Sequence, residues 1–201
     1  SHDIKTLSLN SAINHWLCEV FDMAKTIHVD RAKTNRHIHT VMLTNKIGKK
    51  IPITHVGFGI SQIFPILIEG LRPSDTNSLI ILEQPEIHLH PKVQSLLFDF
   101  LYSVSTEKQV LIETHSDHFI NRLRRRVAES EDTKLINSIC LTFVTSTANG
   151  TVYEIIKLEE NGTIKKWPSG FFDQYDDEFQ YIIKAQSKKN RIKYSESSSN
   201  N

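Results

Sequence analysis

The sequence predicts an α/β fold built on parallel strands, and three observations carry that expectation. Leu79-Ile80-Ile81-Leu82 is a short, continuously apolar run of the kind that parallel sheets bury on both faces. A second such strand is expected over Gln109–Glu113, and each of the two is followed by a helical stripe. From Leu135 onward the chain turns β-rich, with Asn149-Gly150 and Asn161-Gly162 as hairpin turns. Strand, helix, strand, helix at this length implies right-handed crossovers with helices packed on a parallel sheet, and a small antiparallel C-terminal extension beyond it.

The elements follow in order. Residues 9–24 place Ala12, Ile13, Trp16, Leu17, Val20, Phe21 and Ala24 on one stripe, an amphipathic helix against a core. His37–Leu43 and Ile51–His55 are β-prone and separated by the Lys46-Ile47-Gly48-Lys49 turn, so they read as a hairpin. After Gly57-Phe58-Gly59-Ile60-Ser61-Gln62 a helix carries Ile63, Phe64, Leu67, Ile68 and Leu71 and ends before Pro73-Ser74-Asp75. Pro91 suits a first helical position, ahead of the stripe Val93, Leu96, Leu97, Phe100, Leu101 and Val104. Thr114-His115-Ser116 then leads to a helix with Phe119, Ile120, Leu123 and Val127. In the extension, strands are expected over Ser138–Thr145, Thr151–Leu158 and Thr163–Trp167, packed down by Phe171, Phe172 and Tyr175, with a last helix over Asp176–Gln186. Lys188–Asn201 is polar and Ser/Asn-rich, and disorder is expected there. The expected organisation is a lobe over 3–134, an extension over 135–187 and a tail over 188–201, with no internal repeat.

With 201 residues, 39% hydrophobic and 23% charged, the composition is that of an ordinary globular chain. A formal net charge of +1 makes no bulk electrostatic demand for nucleic acid. Cys18 and Cys140 lie in apolar stretches outside any CxxC pair and read as buried thiols in a reducing compartment. No run approaches the ~20 apolar residues of a membrane span, and the N-terminus lacks a secretory apolar region, so a cytoplasmic location without membrane is expected. Ser1-His2, without an initiating Met, reads as a cleavage scar on a piece of a longer chain.

The chemistry concentrates between Leu79 and Pro91. Glu83 ends a strand at the sheet edge where open α/β folds bind ligands, and a carboxylate there is costly unless compensated. Taken alone, it equally fits an ion pair with a local Arg or Lys. His115 ends the next strand at the same edge, where an imidazole can donate to a phosphate oxygen; in isolation it fits a helix-cap neighbour or a core histidine. Gly57-Phe58-Gly59-Ile60-Ser61-Gln62 sits at a strand-to-helix transition, where two glycines allow close backbone approach, Ser61 can cap the helix and the dipole favours an anion. A short glycine turn is also found as a plain bend.

In this order and spacing the segments, spanning roughly Ile38 to Phe172, resemble the ABC/SMC ATPase superfamily. Within it they resemble most the bacterial AAA-type ATPases whose motif reads E-x-P-E-x-H-L-H-P, here Glu83 to Pro91, and whose chains end in a short domain of unknown function. Trp167-Pro168-Ser169-Gly170-Phe171-Phe172-Asp173 is similar to the ending of that subfamily. The resemblance implies a partial P-loop NTPase fold, head-like, with ATP and Mg²⁺ as cofactors. It implies that Gly57, Phe58, Gly59, Ile60, Ser61 and Gln62 form the signature loop contacting ATP on an opposite subunit. It implies Glu83 as the Walker B acid, holding Mg²⁺ through water, His88, Leu89 and His90 as the D-loop, and His115 as the switch histidine. Partners implied are a second copy in an ATP-dependent homodimer, DNA and an effector nuclease, in bacterial DNA maintenance or defence against phage.

Two departures qualify the resemblance. The position after the Walker B acid is Gln84 where the family has Glu; an amide orients water but cannot take its proton, so slow hydrolysis is expected, with Glu86 as a conceivable substitute base. No GxxxxGK[ST] occurs, so this chain alone is expected to be inactive, its P-loop lobe cut away or supplied by another polypeptide. A degenerate fold serving as a dimerisation or docking module stays open, as does a metal-dependent hydrolase using His88, His90, His115 and Asp117 or His118. Arg122, Arg124, Arg125 and Arg126 invite a DNA contact, against which stands the reading of a solvated helix face.

Overall fold

A computed structural model describes residues 8–31, 39–73, 78–131, 133–168, 170 and 178–189. The chain divides into two compact units between Leu123 and Arg124.

In the first unit, residues 9–20 are helical as the stripe predicts, but in two forms: α1 (Leu9–Asn14) continues into a π-helical turn over His15–Val20. Ala12, Ile13, Trp16, Leu17, Phe21 and Ala24 are buried, while Val20 is only half-buried. Three antiparallel strands follow in spatial order, β1 (Thr26–Arg31), β2 (His39–Thr44) and β3 (Lys50–Pro52). The predicted hairpin is present as β2 and β3, although His55 falls in a 3₁₀ turn over Ile53–His55 and residues 37 and 38 lie outside the described residues. β1 is an addition that sequence reading passed over. It is docked by Asn14, whose side-chain amide donates to the Ile27 carbonyl at 2.8 Å and whose Oδ1 accepts the Ile27 N–H at 2.9 Å, standing in for a neighbouring strand.

α2 (Phe58–Leu71) and α3 (Pro91–Ser105) form the helical side of the core with the rings of Trp16 and Phe21. Phe100 is fully buried and meets Trp16 edge-on with centroids 5.0 Å apart. The two helices approach closely at Gly70, where a Cβ would lie 2.5 Å from Phe100 Cζ and 2.9 Å from Val104 Cγ2. Lys108, buried just before the next strand, caps the end of α2 by donating to the carbonyls of Glu69, Gly70 at 3.0 Å and Arg72 at 2.7 Å. Those groups are among the carbonyls that a helix C-terminus leaves without intrahelical partners.

β4 (Leu79–Glu83) and β5 (Gln109–Glu113) pair in parallel, with Leu79 opposite Gln109 and Glu83 opposite Glu113. The expectation of burial on both faces is corrected here. Only Ile80, Leu82, Val110 and Ile112 are partly covered, whereas Ile81 is 61% and Leu111 59% exposed, because helices of this unit cover one face of a two-stranded sheet. α4 (Asp117–Glu129) buries Phe119, Ile120 and Leu123 as the stripe predicts, with Phe119 edge-on to Phe98. The described residues contain no helix long and apolar enough to cross a membrane.

In the second unit the C-terminal turns of α4 are followed by a short helix not foreseen from sequence, α5 (Lys134–Ser138), so the strand expected from Ser138 begins at Leu141. β6 (Leu141–Thr147) and β7 (Gly150–Ile156) make the predicted hairpin around Asn149-Gly150. The third strand is reduced to one bridge between Leu158 and Ile164, around the turn in which Gly162 has φ +77°. Gly162 has a steric reason as well, since a Cβ would stand 2.3 Å from the Arg124 carbonyl oxygen. Ile156 and Ile164, with Leu141, Phe143 and Leu158, form the small core of the extension. Residues 178–189 are helical; Phe171, Phe172, Tyr175 and the tail from 190 lie outside the described residues.

The two thiols are not both buried. Cys140 is exposed beside Thr142, and Cys18 is half-covered, facing Asn14 from the polar shoulder of the helix. Burial, with Glu19 adding to it, pushes the Cys18 thiol up to about 11. At pH 8 iodoacetamide is therefore expected to label Cys140 well before Cys18 in the native chain, read by peptide mass mapping; equal rates would contradict this environment for Cys18. Gly70→Ala is expected to lower the unfolding free energy by about 1–3 kcal/mol through overpacking against Phe100, and an unshifted urea midpoint would contradict the close approach of α2 and α3.

Candidate functional site

The parallel register sets the geometry of the site. Because Glu83 and Glu113 are partners at the C-terminal end of β4 and β5, and Gln84 N–H donates to the Glu113 carbonyl at 2.8 Å, the loops after both strands emerge at one sheet edge. Glu83 is exposed at the end of β4 and His115 is exposed on the loop after β5, its Nε2 3.8 Å from Glu113 Oε1.

The stretch from Gln84 to His90 is a strained connection. Gln84 (φ +45°) and His88 (φ +62°) both occupy the left-handed region that non-glycine residues rarely adopt. Each such residue costs on the order of 1 kcal/mol, and they concentrate at functional sites. Turn hydrogen bonds from Ile87 N–H to the Gln84 carbonyl (3.2 Å) and from Leu89 N–H to the Glu86 carbonyl (3.1 Å) hold the curl. Leu89 is buried as an anchor, His88 is exposed, and exposed His90 caps α3, its Nδ1 accepting the Lys92 N–H at 3.2 Å. Pro91 occupies the first turn of that helix, as expected.

The glycine-flanked segment is helical rather than a loop. Gly57 is the N-cap of α2, and Phe58 to Gln62 form its first turns. The expected cap by Ser61 is therefore corrected: Ser61 lies inside the helix and exposed, and Gly57 at the N-cap has no side chain to bond the first-turn amides, of which Ile60 N–H donates to the Gly57 carbonyl at 3.2 Å. Pro65 lacks the N–H that would otherwise bond the Ser61 carbonyl, freeing a second polar group in the same stretch. Gly59 and Ile60 are half-buried, and Phe58 is 78% exposed. This end of α2 sits on the strained connection. A Cβ on Gly59 would lie 3.0 Å from the His88 carbonyl oxygen, the Phe58 and His88 rings are 5.5 Å apart, and Gln62 Nε2 donates to the Gln84 carbonyl at 3.4 Å. Sequence reading brought Gly57–Gln62, Gln84 and His88 together only through resemblance; here they touch.

Three residues have a larger part than sequence reading gave them. Glu86 is buried, and its Oε1 accepts the His115 N–H at 2.7 Å, so it does not stand as a solvent-facing base in place of Gln84. Gln94 and buried Ser116 join by a 2.6 Å hydrogen bond from the serine hydroxyl to Gln94 Oε1. No local pattern marks such a pair, since the partners are 22 positions apart.

The metal-hydrolase arrangement fails on geometry. His88, His90, His115, Asp117 and His118 do not converge, and the described residues contain no group of three or more such side chains able to hold a metal ion. The arginines read as a DNA patch are engaged within the chain. Arg122 forms a part-buried pair with Asp99, Nε to Oδ2 at 3.0 Å. Arg124 donates to the Gly162 carbonyl at 2.9 Å with its guanidinium over the Trp167 ring, and Arg125 and Arg126 both bind Glu129. Those two arginines, Arg125 foremost, hold the Glu129 carboxyl below its ordinary range.

Comparison with known proteins bears on the fold. A structure titled "Crystal structure of the SmcHead bound to the C-winged helix domain of ScpA" is similar with a TM-score of 0.51 and 12% identity, over 75% of this chain and 44% of that one. Another, from a study of ATP-driven dimerization and DNA stimulated activation of SMC ATPases, has a TM-score of 0.49 and 14% identity, over 73% and 84%. This chain thus spans less than half of the first of these. No curated protein matches it in sequence. A domain of unknown function, DUF3696, matches residues 137–181. The model of the AAA ATPase domain matches residues 4–120, more than half of the sequence, and the chain belongs to that ATPase family, with a head-like P-loop NTPase fold.

Proposed function

We propose that this chain is the C-terminal lobe of an ATPase head that binds and hydrolyses Mg²⁺·ATP between two copies arranged head to tail. The observation that carries the reading is the shared sheet edge: Glu83 and the His115 loop follow adjacent parallel strands held in register at Glu83 and Glu113. Glu83 acts as the acid that holds Mg²⁺ through water, and an exposed carboxylate at that edge has the chemistry for it. When bound, the metal neutralises charge on the phosphates. His115 donates to a γ-phosphate oxygen, and Gln84 orients the attacking water without accepting its proton. Gly57–Gln62 form the signature segment, and their supporting feature is the start of α2, which carries no side-chain cap and whose dipole favours an anion presented by a second copy. Exposed Phe58 and His88, their rings tilted 38° to each other, then meet that copy with Leu89 and His90 as the D-loop.

The phosphate-cradling lobe completes the site from outside these residues. DNA and an effector nuclease, in genome maintenance or defence against phage, remain part of the proposal, as does the cytoplasm. The four arginines from 122 to 126 each have an internal partner, which favours the solvated helix face over a DNA contact for them. A second reading is favoured by Gln84: a degenerate head that uses ATP to dimerise without turning it over.

Phosphate release by the full-length protein tests both. Glu83→Gln is expected to abolish Mg²⁺-dependent release, Gln84→Ala to slow it by about 10-fold or more, and Gln84→Glu to raise it. Release undiminished by Glu83→Gln would remove the ATPase assignment of this edge. ATP-dependent dimers that release no phosphate would establish the second reading.

A further inference from the structure

Two side chains fasten the segment after β4 to the loop after β5. Glu86 is 6% exposed; Oε1 accepts the His115 N–H at 2.7 Å, and Oε2 is enclosed without a hydrogen-bond partner. Gln94, in the first turns of α3, donates through Nε2 to the Leu89 carbonyl at 3.0 Å and accepts the Ser116 hydroxyl at 2.6 Å. Ser116 Oγ in turn accepts the Phe119 N–H at 3.2 Å, which ties the loop to the start of α4.

The imidazole of His115 is 75% exposed, so packing does not fix it. Its place is set by the backbone of Thr114–Ser116. Glu86 holds that backbone at the His115 amide, and Gln94 holds the side-chain hydroxyl of the next residue, Ser116. A half-satisfied buried carboxylate is a costly means of holding a loop, since a buried polar atom left unpaired opposes folding. A tie that opposes stability in this place suits function better than folding.

We propose that Glu86 is a positioning residue for His115: by accepting the His115 amide it fixes where the imidazole stands at the sheet edge, with the Gln94–Ser116 bond as a second tie. The role rests on the ATP-hydrolysis reading above. Glu86 touches no reacting atom in this scheme. It acts through His115 alone.

The test uses the full-length protein with Glu86→Leu and Glu86→Gln, each with and without His115→Ala. Phosphate release and exchange of the His115 amide are followed in parallel. Glu86→Gln keeps an acceptor oxygen and is expected to retain both the amide protection and near-parental turnover. Glu86→Leu is expected to lose the protection and to lower kcat about 10- to 100-fold, the scale of a misplaced catalytic group, with KM for ATP unchanged. In the His115→Ala background the same change should have no further effect on kcat. An equal loss in both backgrounds, a rise in KM accompanied by a lower Tm, or an amide still protected in Glu86→Leu would overturn the proposal. If the leucine variant does not fold, Gln94→Met takes its place under the same requirement of non-additivity with His115→Ala. Should the parental protein release no phosphate while the protection still depends on Glu86, the ATPase reading fails and Glu86 is left as a structural tie, which also overturns the positioning role.

Discussion

The parallel pairing of β4 with β5 is the constraint from which the candidate site follows. Glu83 opposite Glu113 is one rung of a ladder that also joins Ile81 to Leu111 and Leu79 to Gln109. A slip by one residue would turn every side chain to the other face of the sheet and carry the two loops out of step. Because the rung holds, an acidic and an imidazole side chain separated by more than thirty positions emerge at one edge. Everything assigned to the site adds to that placement.

Around it the molecule is connected more tightly than a row of motifs suggests. The strained connection from Gln84 to His88 is touched from one side by Gly59, Phe58 and Gln62 of α2. From the other side it is held to the His115 loop through Glu86 and Gln94. The first turns of α2 and the loops after β4 and β5 are thus one hydrogen-bonded and packed unit. Positive φ at Gln84 and His88 stores strain in the residues that join them. The open faces of β4 and β5, with Ile81 and Leu111 exposed, belong to the same account, since apolar strand faces of this kind are ordinarily covered in an α/β sheet.

Much of this was legible in the sequence, for a physical reason in each case. Apolar runs at Leu79–Leu82 and Gln109–Glu113 carry strand character whatever surrounds them, and the stripes at Val93–Val104 and Phe119–Leu123 fix which helix faces are buried. Asn149-Gly150 announces a hairpin because glycine tolerates the positive φ that Gly150 adopts where β7 begins. Burial was harder to read, because an apolar strand declares what it could bury and not what covers it, hence Leu79, Ile81 and Leu111 in the open. Ser61 looked like a cap because serine often is one, yet the helix starts four residues earlier at a glycine with no side-chain bond to offer. β1 was missed because Thr26–Arg31 mixes His28, Asp30 and Arg31 into the strand, and the contact that secures it comes from Asn14 on a helix. Glu86, Gln94 and Ser116 form tertiary bonds between residues that no local period relates.

The central claim is that Glu83 and His115 face one triphosphate, and Mn²⁺ delivered with ATP to the full-length protein tests it most directly. Selective labelling of the histidine rings allows the His115 resonance to be followed as the paramagnetic ion binds. The account predicts strong broadening of that resonance with Mn²⁺·ATP, abolished when Glu83 is replaced by Gln. A His115 signal that stays sharp while Mn²⁺·ATP is bound would contradict it.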